Sequence, residues 1–95
     1  MIAKELLMRF WGIIRTDHHI IEDAIIPGPD KRAYIDDVQA ELAINELCRL
    51  LDLARPVILH KHLKEIKNFG RTVFKQPDFM EPIAFDAFEM EIIPD

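Results

Sequence analysis

The sequence predicts an α+β fold, with one small antiparallel or mixed sheet of three to four strands and two helices packed on one face. Three observations carry that prediction. Apolar side chains recur at helical spacing between residues 37 and 53, and they alternate with acids between residues 85 and 93. Clusters of proline or glycine at Pro27-Gly28-Pro29, Arg55-Pro56, Gly70 and Pro77 to Pro82 cut the chain into pieces of element length.

The first 26 residues admit two readings. The pairs Leu6-Leu7, Phe10-Trp11, Ile13-Ile14, Ile20-Ile21 and Ala24-Ile25 match a helical period. Six isoleucines between Ile13 and Ile26, Gly12 in the interior and the polar break Arg15-Thr-Asp-His-His favour a β-hairpin instead. The break holds no Asn-Gly or Asp-Gly pair, so turn chemistry leaves the hairpin register open.

The next element is a helix over residues 37–53. Asp36 stands at its N-cap, and Gln39 three residues on completes a capping-box pattern. Ala40, Ala43, Ile44, Leu47, Leu50, Leu51 and Ala54 form the inward stripe, with Pro56 as the stop. Val38 and Leu42 fall on the opposite side, where a loop or a partner has to cover them. Pro56-Val-Ile-Leu is either a short strand or the lead into a second helix, His60 to Phe69. In that helix Leu59, Leu63, Ile66 and Phe69 are expected inward and Lys61, Lys64 and Lys67 outward, with Gly70 as C-cap. Arg71 to Lys75 reads as an edge strand, Gln76 to Pro82 as a turn, and Phe85 to Ile93 as a strand with Phe88, Met90 and Ile92 on its apolar side. In outline this order of hairpin, packing helix and late strand resembles a ubiquitin-like β-grasp. The likeness is one of topology, carried by no motif.

The chain has 95 residues, enough for one domain and one core. Its composition, 49% hydrophobic and 31% charged, is that of a globular protein. Seventeen acids against twelve bases give a formal charge of -5, the wrong sign for a surface that grips nucleic acid or anionic lipid as a whole. The charge-free apolar run from Phe10 to Ile14 is far short of the roughly 20 residues that span a membrane, so no membrane association is expected. Glu5 and Arg9 interrupt the N-terminal apolar stretch before it makes an export signal. Cys48 is the single cysteine, which excludes an intrachain disulfide and suits a cytoplasmic location. Set among leucines, it reads as an apolar filler rather than a nucleophile.

No catalytic motif is present, and neither a catalytic residue nor a cofactor is assigned. Three readings remain. The first is a small non-catalytic interaction or regulatory module, a homo-oligomer or a subunit bound to a protein partner, with the hairpin and the Val38-Leu42 side at the contact and Trp11, Val38 and Leu42 as its residues. The second is a histidine-dependent metal-binding protein or small enzyme using His18, His19, His60 and His62, with Asp17 or Asp23 in support. It requires His60 and His62 to lie on extended backbone. On a helix their rings diverge by roughly 200° and cannot share an ion. The third uses the basic segment, where Arg55, Lys61, Lys64, Lys67, Arg71 and Lys75 stand against Glu65 alone. Lys61, Lys64, Lys67 and Arg71 then bind an anionic partner, with nucleic acid as one case. Beyond Gln76 every charged residue is an acid, so the simpler account of the basic segment is neutralisation within or between chains.

Overall fold

Asp17 and His18 both adopt positive φ, 52° and 68°, and this pair closes the N-terminal hairpin. Two positive-φ residues are the signature of the tight turn whose twist matches paired strands, and Asp and His are among the side chains that tolerate it. In the computed structural model, which describes residues 8–29 and 35–93, β1 (Arg9–Thr16) and β2 (His19–Pro27) flank this turn. The hairpin reading therefore holds over the described residues, and Leu6 and Leu7 lie outside them. Asp86 fastens the turn by accepting the Asp17 backbone N–H at 2.8 Å.

The pairing is antiparallel throughout, with strand order β2-β1-β4-β3. β3 (Arg71–Phe74) and β2 are the two edges, and β4 (Ala87–Ile93) lies beside β1 in the middle. The likeness to a β-grasp stops at its outline. Along the hairpin Ile14 faces Glu22 while Arg15 faces Ile20, so Ile21 is the extra residue of a bulge.

α1 (Asp37–Leu50) starts where Asp36 accepts the Gln39 N–H at 2.8 Å and ends at Leu50, three residues short of the stop expected near residue 53. Its buried face is Ala40, Ala43, Ile44, Leu47 and Cys48. Leu50 is instead 46% exposed and Ala54 lies beyond the helix, exposed. The helix stops once Asp52 turns to positive φ, which carries the chain off the stripe that Ala54 continued on paper. Gly12 on β1 lets the helix come close, for a Cβ there would stand 3.1 Å from Leu47 Cδ2.

Pro56 to Ile58 forms no strand. α2 (His60–Phe69) follows, and Gly70 ends it at φ 75°, in the left-handed conformation that a C-cap glycine supplies. Its inner face differs from the expected stripe. Ile66 and His62 are fully buried, whereas Leu59 is 46% and Phe69 73% exposed. Centring the helix on Ile66 brings the residue four positions earlier inward, and that residue is His62.

The core lies between the helices and one sheet face. It joins Phe10 and Ile14 of β1, Phe88 and Met90 of β4, Phe74 of β3, and the buried residues of both helices. Phe74 stacks on Phe88 at 5.8 Å between ring centres.

Candidate functional site

The four histidines do not come together. His18 sits in the hairpin turn and His19 opens β2, both exposed, while His60 and His62 form the first turn of α2 with His60 exposed and His62 buried. The helical placement is the one that prevents an imidazole pair from sharing an ion. Among the described residues no group of three or more His, Cys, Asp or Glu side chains is placed to hold a metal ion.

His62 works inside the fold. Its Nδ1 accepts the Leu59 backbone N–H at 2.9 Å, the part that Glu or Gln plays three residues after a helix cap. The proton is thereby assigned to Nε2, which faces Asp78 Oδ1 at 3.7 Å, beyond hydrogen-bond range. The ring rests on Phe74, 4.3 Å between centres. Burial lowers its pKa below the ordinary 6.5, opposed by Asp78 and Glu65 and assisted by Lys61. One sequence signal for this role was present: His62 stands three residues after the helix cap Leu59.

The basic segment is partly consumed by internal pairing. Lys67 Nζ reaches Asp37 at 2.7 Å and ties α2 to α1. Arg71 Nη2 meets Glu89 Oε1 at 3.2 Å, while Arg15 Nε holds the other oxygen of the same carboxylate at 2.9 Å. This ladder spans β3, β4 and β1 on the side of the sheet away from α1 and α2, and it helps to bury Glu89, only 8% exposed there. Lys61, Lys64 and Arg71 keep exposed positions. A cleft of about 330 Å³ runs between α2 and β3, lined by Lys61, Glu65, Phe69, Arg71, Thr72 and Val73.

The three expected contact residues divide between two surfaces. Phe10 points to the helices, so its neighbour Trp11 points to the opposite face, where its indole N–H donates to Asp23 at 2.8 Å. Val38 and Leu42 are exposed on α1, 65% and 62%, on the other side of the sheet. They do not form one patch with Trp11.

Sequence reasoning gave the hairpin and set it at the contact, but not which of its strands is the edge. β2 is nine residues long and, among the described residues, is paired on one side only, and Ile20, Ile21 and Ile25 are 45%, 56% and 47% exposed. The isoleucine run announced a strand, but which strand would be the edge depends on where β4 inserts, a long-range pairing that no local pattern carries.

A second cleft, about 500 Å³ between the hairpin, the end of α1 and residues 79–85, is lined by apolar residues with Glu22, Asp52 and Glu81. None of its lining residues is His, Cys, Lys or Ser. Cys48 is buried in the core, and burial raises its thiol to about 11. Comparison with protein families, with characterised proteins and with solved structures finds no match. No helix of the described residues is long and apolar enough to cross a membrane.

Proposed function

We propose that this chain is a non-catalytic protein-interaction or regulatory module whose contact element is the edge strand β2. One observation carries the reading: a nine-residue edge with Ile20, Ile21 and Ile25 exposed along it. An edge strand presents unpaired backbone N–H and C=O groups, and proteins that stay apart blunt such edges with lysine, short length or a covering loop. β2 has no Lys or Arg, and among the described residues its blunting features are the bulge at Ile21, the pair Glu22 and Asp23, and Pro27 at its end. Small domains also gain stability from a shared face, which supports a homo-oligomer or a protein partner as the working state. The buried, unpaired Cys48 fits a cytoplasmic setting for that work.

The test is a photoreactive phenylalanine in place of Ile25, with the same group in place of Arg49 on α1 as control. The reading expects a discrete cross-linked protein species from position 25 and none from position 49. Equal background from both positions would refute it.

A further inference from the structure

We propose that the β2 edge of one copy docks against the β3 edge of a second copy, in the cleft between β3 and α2, so that the sheet continues antiparallel from chain to chain. This rests on the interaction reading above and names the partner: the chain itself, joined head to tail.

Strand direction is the first support. β1 runs antiparallel to both β2 and β4, and β3 antiparallel to β4, so β1 and β3 point one way and β2 and β4 the other. A second copy placed beside β3 with its helices on the same side therefore presents its β2 antiparallel to β3. The order β2-β1-β4-β3 then repeats without a break in the alternation. Adding a strand to an exposed edge is an established mode of recognition, in which backbone bonds supply affinity and the flanking side chains supply selectivity.

Charge is the second support, and it selects the pairing. The charged residues of β2 at neutral pH are Glu22 and Asp23, neighbours that necessarily face opposite sides of the sheet. Glu22 lies opposite Ile14, on the helix side, and Asp23 opposite Ile13, on the open side. The β3 edge carries cations on both sides, Lys61 of α2 above the cleft and, on the open face, Arg71, which keeps its pair with Glu89 and adds positive charge there. Lys75 continues the parity of Arg71 and Val73 just past the strand. Ile25 and Val73 share the open side and Phe69, 73% exposed, flanks the cleft on the helix side, so apolar surface is available at both halves of the junction.

Pairing of like edges is disfavoured by the same residues. Glu22 and Asp23 lie at the middle of β2, so an antiparallel β2-to-β2 pair brings the carboxylates of both copies together. A β3-to-β3 pair sets Arg71 and Lys75 against their own copies. The acidic and basic edges are complementary to each other and not to themselves.

Two charge-reversed chains test the arrangement: Glu22→Lys with Asp23→Lys on one, and Lys61→Glu with Lys75→Glu on the other. All four positions are exposed, and circular dichroism and thermal midpoints establish that each variant is folded. At low salt the wild-type mass should rise with concentration above the 11.1 kDa of one chain. Each variant alone should associate about tenfold or more weakly, because its own two edges now repel, and an equimolar mixture should recover association. An association constant unchanged in either variant, or a mixture no tighter than its components, would overturn the proposal. Salt supplies a readout that needs no variant. Wild-type association should weaken as ionic strength passes about 0.1 M, where the screening length falls to about 10 Å, and salt-insensitive association would count against it. Mapping the cross-links from position 25 separates the two levels of inference. Links to residues 61–75 of a second copy support the junction, and links to any other protein site overturn it while leaving the interaction reading in place. A wild-type chain that stays at 11.1 kDa at every concentration tested also overturns it.

Discussion

Gly12→Ala probes how closely α1 lies on the hairpin that carries the β2 edge. Gly12 sits between Ala24 and Met90 in the sheet, and an added Cβ would stand 3.1 Å from Leu47 Cδ2 and 3.2 Å from both Leu47 Cβ and Cδ1. Carbon atoms prefer roughly 3.5 to 4.0 Å, so three contacts are each too short by a few tenths of an ångström. Leu47 is fully buried, and its Cβ is anchored to the helix backbone, so a rotamer change cannot clear all three. Overpacking of this kind costs about 1 to 3 kcal/mol. Loss of glycine's freedom in the unfolded chain offsets roughly 0.4 to 1 kcal/mol of it. We expect a net destabilisation of about 1 to 2 kcal/mol, measured by urea unfolding, with the midpoint temperature lower by about 4 to 8 °C for each kcal/mol. The decisive measurement is the double-mutant cycle with Leu47→Ala. That substitution alone should cost about 2 to 5 kcal/mol. In its background Gly12→Ala should be nearly neutral, since two of the three crowding atoms are gone, giving a favourable coupling of about 1 kcal/mol or more. Additivity to within about 0.5 kcal/mol would refute the reasoning and place α1 farther from β1.

Three further outcomes are expected. His62 is held neutral by burial, so the unfolded chain takes up a proton more readily below 6.5; stability should fall as pH drops from neutrality through 6.5 and level off below the lowered folded value. Urea midpoints across that range measure it, and His62→Gln should flatten the slope, a slope unchanged in the variant pointing to another group. Asp36→Ala removes the acceptor of the Gln39 N–H and should cost about 1 kcal/mol in the same assay, and a cost near zero would show that the cap does not hold the start of α1. Cys48, buried with its thiol raised to about 11, should resist a thiol reagent at neutral pH in the native state and react promptly in denaturant. Native labelling as fast as that of a free thiol would disprove its burial.

Much of the fold was legible because local chemistry and long-range packing agree. Asp36, Gly70 and the alternation of Phe88, Met90 and Ile92 against Glu89 and Glu91 mark element ends and faces with local signals, and the structure uses each where it stands. Where the two disagree the sequence misleads. Phe69 belongs to the apolar stripe on paper, yet the last helical residue before a glycine cap projects past the end of the core, and His62 takes the inner position. Glu89 reads as the wet side of a strand, but Arg15 from β1 and Arg71 from β3 close over it, a meeting that depends on strand order. The candidate contact was illegible for the same reason. Trp11, Val38 and Leu42 are apolar residues without an assigned place in the core, and only the register of β1 shows that they face opposite ways.

The face of the sheet away from α1 and α2 is the obvious rival to its edges as a contact surface, and its own side chains argue against it. Ile13 on that face is fully buried although neither α1 nor α2 covers it. Its cross-strand neighbours are Asp23, which accepts the Trp11 indole N–H, and Glu89, which is clasped between Arg15 and Arg71. Those neighbouring carboxylates are already held by other side chains of the sheet. A partner laid flat on the face would have to desolvate that ladder or break it, and separating a partly buried carboxylate from its arginines costs more than a new apolar contact returns. An antiparallel sheet can leave one face to water in this way, but it cannot satisfy the outward backbone groups of its last strand by the same means. Among the described residues the strands with one unpaired side are β2, which carries Glu22 and Asp23, and β3, flanked by Lys61 and Arg71.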